Sequence, residues 1–216
     1  HFKMPFNCQS IFENEEGTLY LTTVRGFGEF NPVTGEYTLM KQSAGLGHIF
    51  ELMSYEDGKM LGVLYGDAGL FVFDYRNDTI TFPGKEDSVL VHSNNKYHDI
   101  FKDSRGLLWF GTQDGLNVYN PGSKTTRVFF ETDGLINNNI RSVVEDDKGN
   151  IWVSASYGIS CIRITSSGND YSYSFTGFNQ FDGVLENEFL PRSVLKTGDG
   201  RLFWGGVEGF NEYDMK

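Results

Sequence analysis

The stretch Asp103-Ser104-Arg105-Gly106-Leu107-Leu108-Trp109-Phe110-Gly111-Thr112, continued by Gln113-Asp114-Gly115-Leu116-Asn117-Val118-Tyr119-Asn120-Pro121-Gly122, decides the fold. Asp/Gly clusters and an Asn-Pro-Gly turn punctuate two apolar runs that suit short strands. With Ile100-Phe101 before it and Thr125 to Phe130 after it, the unit reads as four strands joined by tight turns. The second strand, Leu107 to Phe110, is apolar throughout instead of alternating. A strand with that pattern has both faces covered, so a neighbouring sheet is expected on each side.

The unit recurs. Turn glycines Gly17, Gly58, Gly106, Gly149 and Gly200 are separated by 41, 48, 43 and 51 residues, the range of a four-stranded propeller blade. A second glycine follows as Gly26, Gly115, Gly158 and Gly209, with Gly69 taking that place in a copy two residues longer. Between the glycines the third position is bulky each time: Tyr20, Leu61, Trp109, Trp152 and Phe203. Two more columns follow, Phe27/Leu70/Leu116/Ile159/Phe210 and Phe30/Phe73/Tyr119/Ile162/Tyr213. The glycines are expected at φ > 0, where a Cβ is costly, and the aromatic columns in the core between blades. A lone blade cannot bury both faces, so neighbours must stack. The expected fold is all-β: a β-propeller segment of five four-stranded blades over 1–216. The blade cores fall near 11–40, 49–82, 98–130, 140–178 and 189–216. The linking segments Gly134-Leu135-Ile136-Asn137-Asn138-Asn139-Ile140 and Gly183-Val184-Leu185-Glu186-Asn187-Glu188-Phe189 share one form. Their common Asn138 and Asn187 are expected to cap the turn into the next blade.

Composition narrows the function classes. The 29 acidic against 18 basic residues give a formal charge of −11, which repels phosphate backbones and anionic lipid; nucleic acid is therefore not an expected partner. The apolar runs are too short to span a membrane, and residues 1–5 have no signal-peptide character. A first residue of His rather than Met suggests a piece of something longer. Cys8 and Cys161 read as buried small apolar residues rather than a disulfide. No metal-ligand spacing, calcium loop, Walker loop or nucleophile elbow is present in the sequence, and no cofactor is expected.

Asp146-Asp147-Lys148-Gly149-Asn150-Ile151-Trp152-Val153 followed by Gly158-Ile159 resembles the two-component regulator propeller repeat. So do Gly106 to Thr112, Gly115 to Pro121 and the linking segments, and the likeness extends over about residues 11–216. The resemblance implies a periplasmic sensor region of a hybrid two-component histidine kinase, detecting oligosaccharides, with the kinase and a membrane anchor further along. It also implies a ring of about seven blades. The missing blades would lie N-terminal, or a second protomer would cover the open faces. The segment itself would not insert in the membrane. The chain departs from the repeat at the insertion around Leu61 to Gly69 and at Asp87 to His98, which lacks the linking motif.

In a propeller, the loops between second and third strands share one face with the loops between blades. That face would collect Arg25, Tyr65, Asp67, Gln113, Asp114, Ser156, Tyr157 and Glu208, and from the linkers His48, Asn94, Lys96, Tyr97, His98, Asn137, Asn139, Glu186, Glu188 and Arg192. Amides, carboxylates and arginines beside aromatic faces are what a sugar ring needs. A glycosidase would need two acids about 5–10 Å apart, for which Glu186 with Glu208 is the pair to inspect. A lyase could draw on His48, His92 or His98. A spacer or protein-interaction platform is the remaining alternative to a non-catalytic sensor.

Overall fold

A computed structural model describes residues 7–65, 69–83, 93–167, 170–185 and 188–214. Among the described residues its elements are β-strands and three single 3-10 turns, with no α-helix. The chain divides into two compact units, 1–90 and 91–216.

In the first unit, β1 (Cys8–Glu13), β2 (Leu19–Thr23), β3 (Gly26–Phe30) and β4 (Tyr37–Leu39) form one antiparallel sheet in chain order. A second sheet follows as β5 (Ile49–Ser54), β6 (Lys59–Leu64), β7 (Leu70–Asp74) and β8 (Thr79–Thr81). Their shared core holds Tyr20 and Phe27 of the first blade against Ile49, Leu52, Met60, Phe71 and Phe73 of the second. Phe27 stacks on Phe71 at 5.8 Å and meets Phe73 edge-on at 5.0 Å, the offset geometry that aromatic quadrupoles favour. Gly62 is obligatory here, because a Cβ would come within 2.1 Å of the Phe71 ring.

The second unit contains three blades. The first comprises β9 (Tyr97–Lys102), β10 (Leu108–Thr112), β11 (Leu116–Asn120) and β12 (Thr125–Phe129). The next comprises β13 (Ile140–Glu145), β14 (Ile151–Ala155), β15 (Ile159–Ser167) and β16 (Asp170–Phe178). The last has three strands among the described residues, β17 (Phe189–Lys196), β18 (Leu202–Gly206) and β19 (Phe210–Tyr213). Leu107 to Phe110 are each at most 1% exposed, as a strand covered on both faces requires. The long β16 lays Tyr173 and Phe175 over Phe129 of the preceding blade, at 4.9 and 5.1 Å.

Turn chemistry explains the repeat. The first glycine column has φ from 76° to 90° and the second from 86° to 158°, all outside the range an L side chain adopts readily. At the head of three of the first turns a side-chain oxygen collects backbone N–H groups. Asn14 Oδ1 accepts from Glu16 and Thr18, Asp103 Oδ1 from Arg105 and Leu107, and Asp146 Oδ1 from Lys148 and Asn150. These are Asx turns. The second oxygen of each aspartate then accepts an indole N–H, Trp109 at 3.1 Å and Trp152 at 2.8 Å.

Several expectations are corrected. Cys8 is exposed; it opens β1 ahead of the irregularity between Cys8 and Ser10, so its side chain sits at solvent. Cys161 is half-buried, and both thiols are free. In the last blade Phe210 and Tyr213 are 63% and 40% exposed; Phe210 meets Phe203 of its own blade at 5.8 Å, and Tyr213 lies on the other face against Trp152 of the preceding blade at 4.6 Å. Asn138 ties backward: its Oδ1 accepts from Glu131 N at 2.7 Å, and the Glu131 carboxylate accepts from Asn138 N at 3.1 Å. Asn187 lies outside the described residues.

Candidate functional site

The loops that bear the candidate residues are fastened in pairs. In four blades the first residue after the second strand donates its N–H to the carbonyl just before, or entering, the innermost strand of the same blade. The pairs are Tyr65 to His48 (2.9 Å), Gln113 to Lys96 (2.9 Å), Ser156 to Asn139 (3.0 Å) and Val207 to Glu188 (3.3 Å). A bond of this kind recurring in four blades makes the second-to-third loop and the linking loop neighbours.

The linkers of the second unit are also pinned to the third strand of the blade they enter, whereas Ser43 of the first unit bonds Phe27 on the third strand of the blade it leaves. In the second unit Asn117 Oδ1 accepts from Ser93 N, Ser160 Oγ from Ile136 N and Asn211 Oδ1 from Leu185 N, at 2.8 to 2.9 Å. The sequence carried a signal for these three: each is a small polar residue directly after the apolar column Leu116/Ile159/Phe210. The 3-10 turns Glu131–Asp133 and Gln180–Asp182 close with Gly134 and Gly183 in the left-handed region.

In the first unit Tyr65 is 63% exposed and stacks on His48 at 4.7 Å, 14° from parallel. Arg25 is exposed in the turn between β2 and β3. Asp67, His92 and Glu186 lie outside the described residues.

In the second unit the structure gathers Asn137, Asn139, Ser156, Tyr157 and Glu188 around one cavity of about 380 Å³. Asn137 is braced, its Nδ2 donating to Glu131 Oε1 (3.1 Å) and its Oδ1 accepting from Asn139 N (3.0 Å). Asn139 Oδ1 is buried with no partner. Tyr157 is 65% exposed and presents its ring to solvent. The lining thus offers amide groups, a hydroxyl, an aromatic face and a carboxylate. That set can exchange paired hydrogen bonds with adjacent hydroxyls and stack a sugar's apolar face.

The remaining candidates stand elsewhere. Lys96, Gln113, Asp114 and Glu208 are exposed on turns, and Asn94 caps its own loop by accepting from Lys96 N at 2.7 Å. Tyr97 is 8% exposed, packed edge-on to Phe110 inside its blade, and burial pushes its phenol pKa up. His98 is half-buried with Nδ1 2.8 Å from the Ile140 carbonyl; burial holds its pKa below the usual histidine range and the charge of Arg141 lowers it further. Arg192 sits half-buried at φ 55° within β17.

A second cavity, of about 200 Å³, lies between the last two blades, lined by Trp152, Phe178, Val184, Trp204 and Tyr213. Two buried donors of its lining residues, Trp204 Nε1 and Asn211 Nδ2, have no partner.

Comparison with known proteins agrees with this architecture. Residues 92–114 and 134–157 match the family model of the two component regulator propeller. A histidine kinase of Formosa agariphila, histidine kinase P4, is 29% identical in an alignment covering 68% of this chain and 14% of that protein. The extracellular domain attributed to a hybrid two component system of B. thetaiotaomicron superposes with a TM-score of 0.81 at 17% identity, over 100% of this chain and 29% of that one. Virginiamycin B lyase from Staphylococcus aureus, at 15% identity, superposes with a TM-score of 0.64 over 98% of this chain and 71% of that one. The chain therefore spans about a seventh of the histidine kinase and under a third of the extracellular domain. Residues 92–114 and 134–157 are thus similar to the two component regulator propeller repeat, and the glycine columns and the three- and four-stranded sheets on either side show the same blade pattern.

Proposed function

We propose that this propeller segment is an extracytoplasmic ligand-sensing module of a hybrid two-component histidine kinase, and that it binds an oligosaccharide without cleaving it. The observation that carries the reading is the cavity formed by Asn137, Asn139, Ser156, Tyr157 and Glu188. Its lining suits recognition of hydroxyls and a ring face, and its described part carries one carboxylate, whereas glycoside hydrolysis uses a pair. The likeness to a histidine kinase and to the extracellular domain of a hybrid two component system supports the sensor assignment. A bound ligand would act by favouring one arrangement of the blades over another, biasing the downstream kinase by its differential affinity.

The test is a thermal-shift screen against defined oligosaccharides, with the supernatants analysed for products. Stabilisation by one glycan that is recovered intact, and lost in Asn137→Ala and Tyr157→Ala, supports the sensor. Turnover would transfer support to the lyase reading that the likeness to virginiamycin B lyase raises. No response to any glycan, with the chain folded, would leave an interaction platform.

A further inference from the structure

The innermost strand of every blade is irregular near the loop end. The register of the ladders shifts between Cys8 and Ser10, Ile49 and Glu51, Tyr97 and Asp99, Ile140 and Ser142, and Phe189 and Val194. Such bulges leave a residue unpaired in the ladder and turn its side chain to a new direction, a device common at barrel rims and binding sites. In the second unit the residues released this way include His98, Arg141 and Arg192. The innermost strands β9 and β17 both pack against β13, which bears Arg141.

Arg141 does not fit its surroundings as a structural residue. Every other lysine or arginine described in this unit is exposed or engaged by a neighbour. Arg141 is half-buried, and its Nε is sealed from solvent without a partner. The Nη1 and Nη2 groups are not sealed, and no described residue bonds to them. The stem is therefore held in protein while the two terminal donors face solvent. Among the described residues, the charge that acts on His98 is that of Arg141, which lowers its pKa beyond the effect of burial. A sealed, unpaired Nε is unfavourable, and the two Nη groups left facing solvent belong to a planar fork shaped for parallel hydrogen bonds to one oxyanion.

We propose that Arg141 anchors an oxyanion-binding position on the innermost strand of this blade, one that takes the carboxylate or sulfate group of an acidic saccharide. The saccharide part rests on the sensing role proposed above; the oxyanion part stands without it. Asn139 lines the cavity two residues before Arg141, so a single ligand could use both positions.

The experiment titrates the chain with sodium sulfate at constant ionic strength, chloride making the balance. It reads thermal stability and, by mass spectrometry, phenylglyoxal labelling of arginines. Saturable stabilisation is expected, with sulfate protecting Arg141 and leaving Arg163 reactive. Arg141→Gln should weaken sulfate binding at least tenfold, and Arg163→Gln should leave it unchanged. Absence of protection at Arg141, or equal weakening by both substitutions, overturns the position. The labelling readout uses the unsubstituted chain, so it decides the matter even where Arg141→Gln fails to fold. Glucuronate and glucose are then compared at matched ionic strength. Protection by glucuronate alone supports the acidic saccharide, and protection by sulfate with none by glucuronate overturns that part. Protection by sulfate in a chain that answers no oligosaccharide would sink the sensing role and leave the oxyanion position intact.

Discussion

The last two blades of the chain solve the same packing problem with different chemistry. In the complete blade of β13 to β16, Asp146 heads the first turn, gathers two backbone N–H groups and the Asn150 amide, and accepts the Trp152 indole. In the three-stranded blade of β17 to β19, Thr197 stands at that place, Phe203 occupies the tryptophan column, and the tryptophan has moved one residue on to Trp204. Trp204 is 1% exposed with no acceptor for its Nε1. A buried carboxylate thus organises one turn, while apolar packing alone holds the other indole. The comparison teaches that the column position keeps a bulky ring, Trp152 or Phe203, even where the hydrogen bond beneath it is gone.

The largest effect should follow removal of an indole that is both packed and bonded. Trp109→Ala, at 0% exposure with its Nε1 bonded to Asp103, should cost about 3–5 kcal/mol in chemical denaturation. Asp146→Ala should cost about 2–3 kcal/mol, because it orphans the Trp152 indole and the Asn150 amide together. Asp146 also predicts a pH dependence. Burial alone would raise its pKa, but the hydrogen bonds from Trp152 and Asn150 outweigh that and hold it below the ordinary aspartate value. Its contribution is complete above the unfolded-state pKa of about 4 and is lost as pH falls through the lower folded value. Thermal melts from pH 6 to pH 2 should therefore decline less steeply in Asp146→Asn; an unchanged slope would remove the carboxylate from the account.

Trp204→Phe should cost about 1–2 kcal/mol, a loss set by buried volume because the donor removed had no acceptor. A loss as large as that of Asp146→Ala would show that the indole is bonded after all. A smaller difference is expected between two ion pairs. Arg105 spans two blades, meeting Asp103 at 3.1 Å, Glu145 at 3.0 Å and the Gly149 carbonyl, while Glu145 also accepts from Ser104. Its partners are 0% and 11% exposed at the side chain, against 41% for the Glu212 partner of Arg201. Double-mutant cycles should give about 1–2 kcal/mol of coupling for Arg105 with Glu145 and about 0.5 kcal/mol or less for Arg201 with Glu212. Equal couplings would mean that burial of the first pair adds nothing.

The glycine columns were legible because a positive φ is a demand that few residue types meet, and it leaves the same letter in every copy. The aromatic columns were legible from their spacing, and failed at Phe210, which is 63% exposed, because burial depends on what packs against the strand and no local pattern encodes that. Tyr97 looked like a loop residue because it follows a polar run; only the sheet register, pairing it with Thr112, places it in the blade. Contacts between blades were beyond reach of the sequence. Asp99 Oδ2 accepts from Val143 N, 44 residues away, at 2.6 Å, and its counterpart in the next blade is Ser142, which bonds Ser154 instead. The cavity residues Asn137, Asn139, Tyr157 and Glu188 came from the expected layout of loops, and their convergence rests on the backbone bonds that tie each loop pair.

The pins from Ser93 to Asn117, Ile136 to Ser160 and Leu185 to Asn211 each join a linker to the blade that follows it. Every fastener of this kind is thus contained in one stretch of chain that begins with a linker and ends with the third strand of its own blade. A gene segment copied with that boundary carries this attachment with it, while bonds between blades, such as Arg105 with Glu145 and Asp99 with Val143, still depend on the neighbour. Arrays of this kind can therefore lengthen or shorten by whole repeats through unequal recombination, while the loop residues of each copy remain free to diverge toward different ligands.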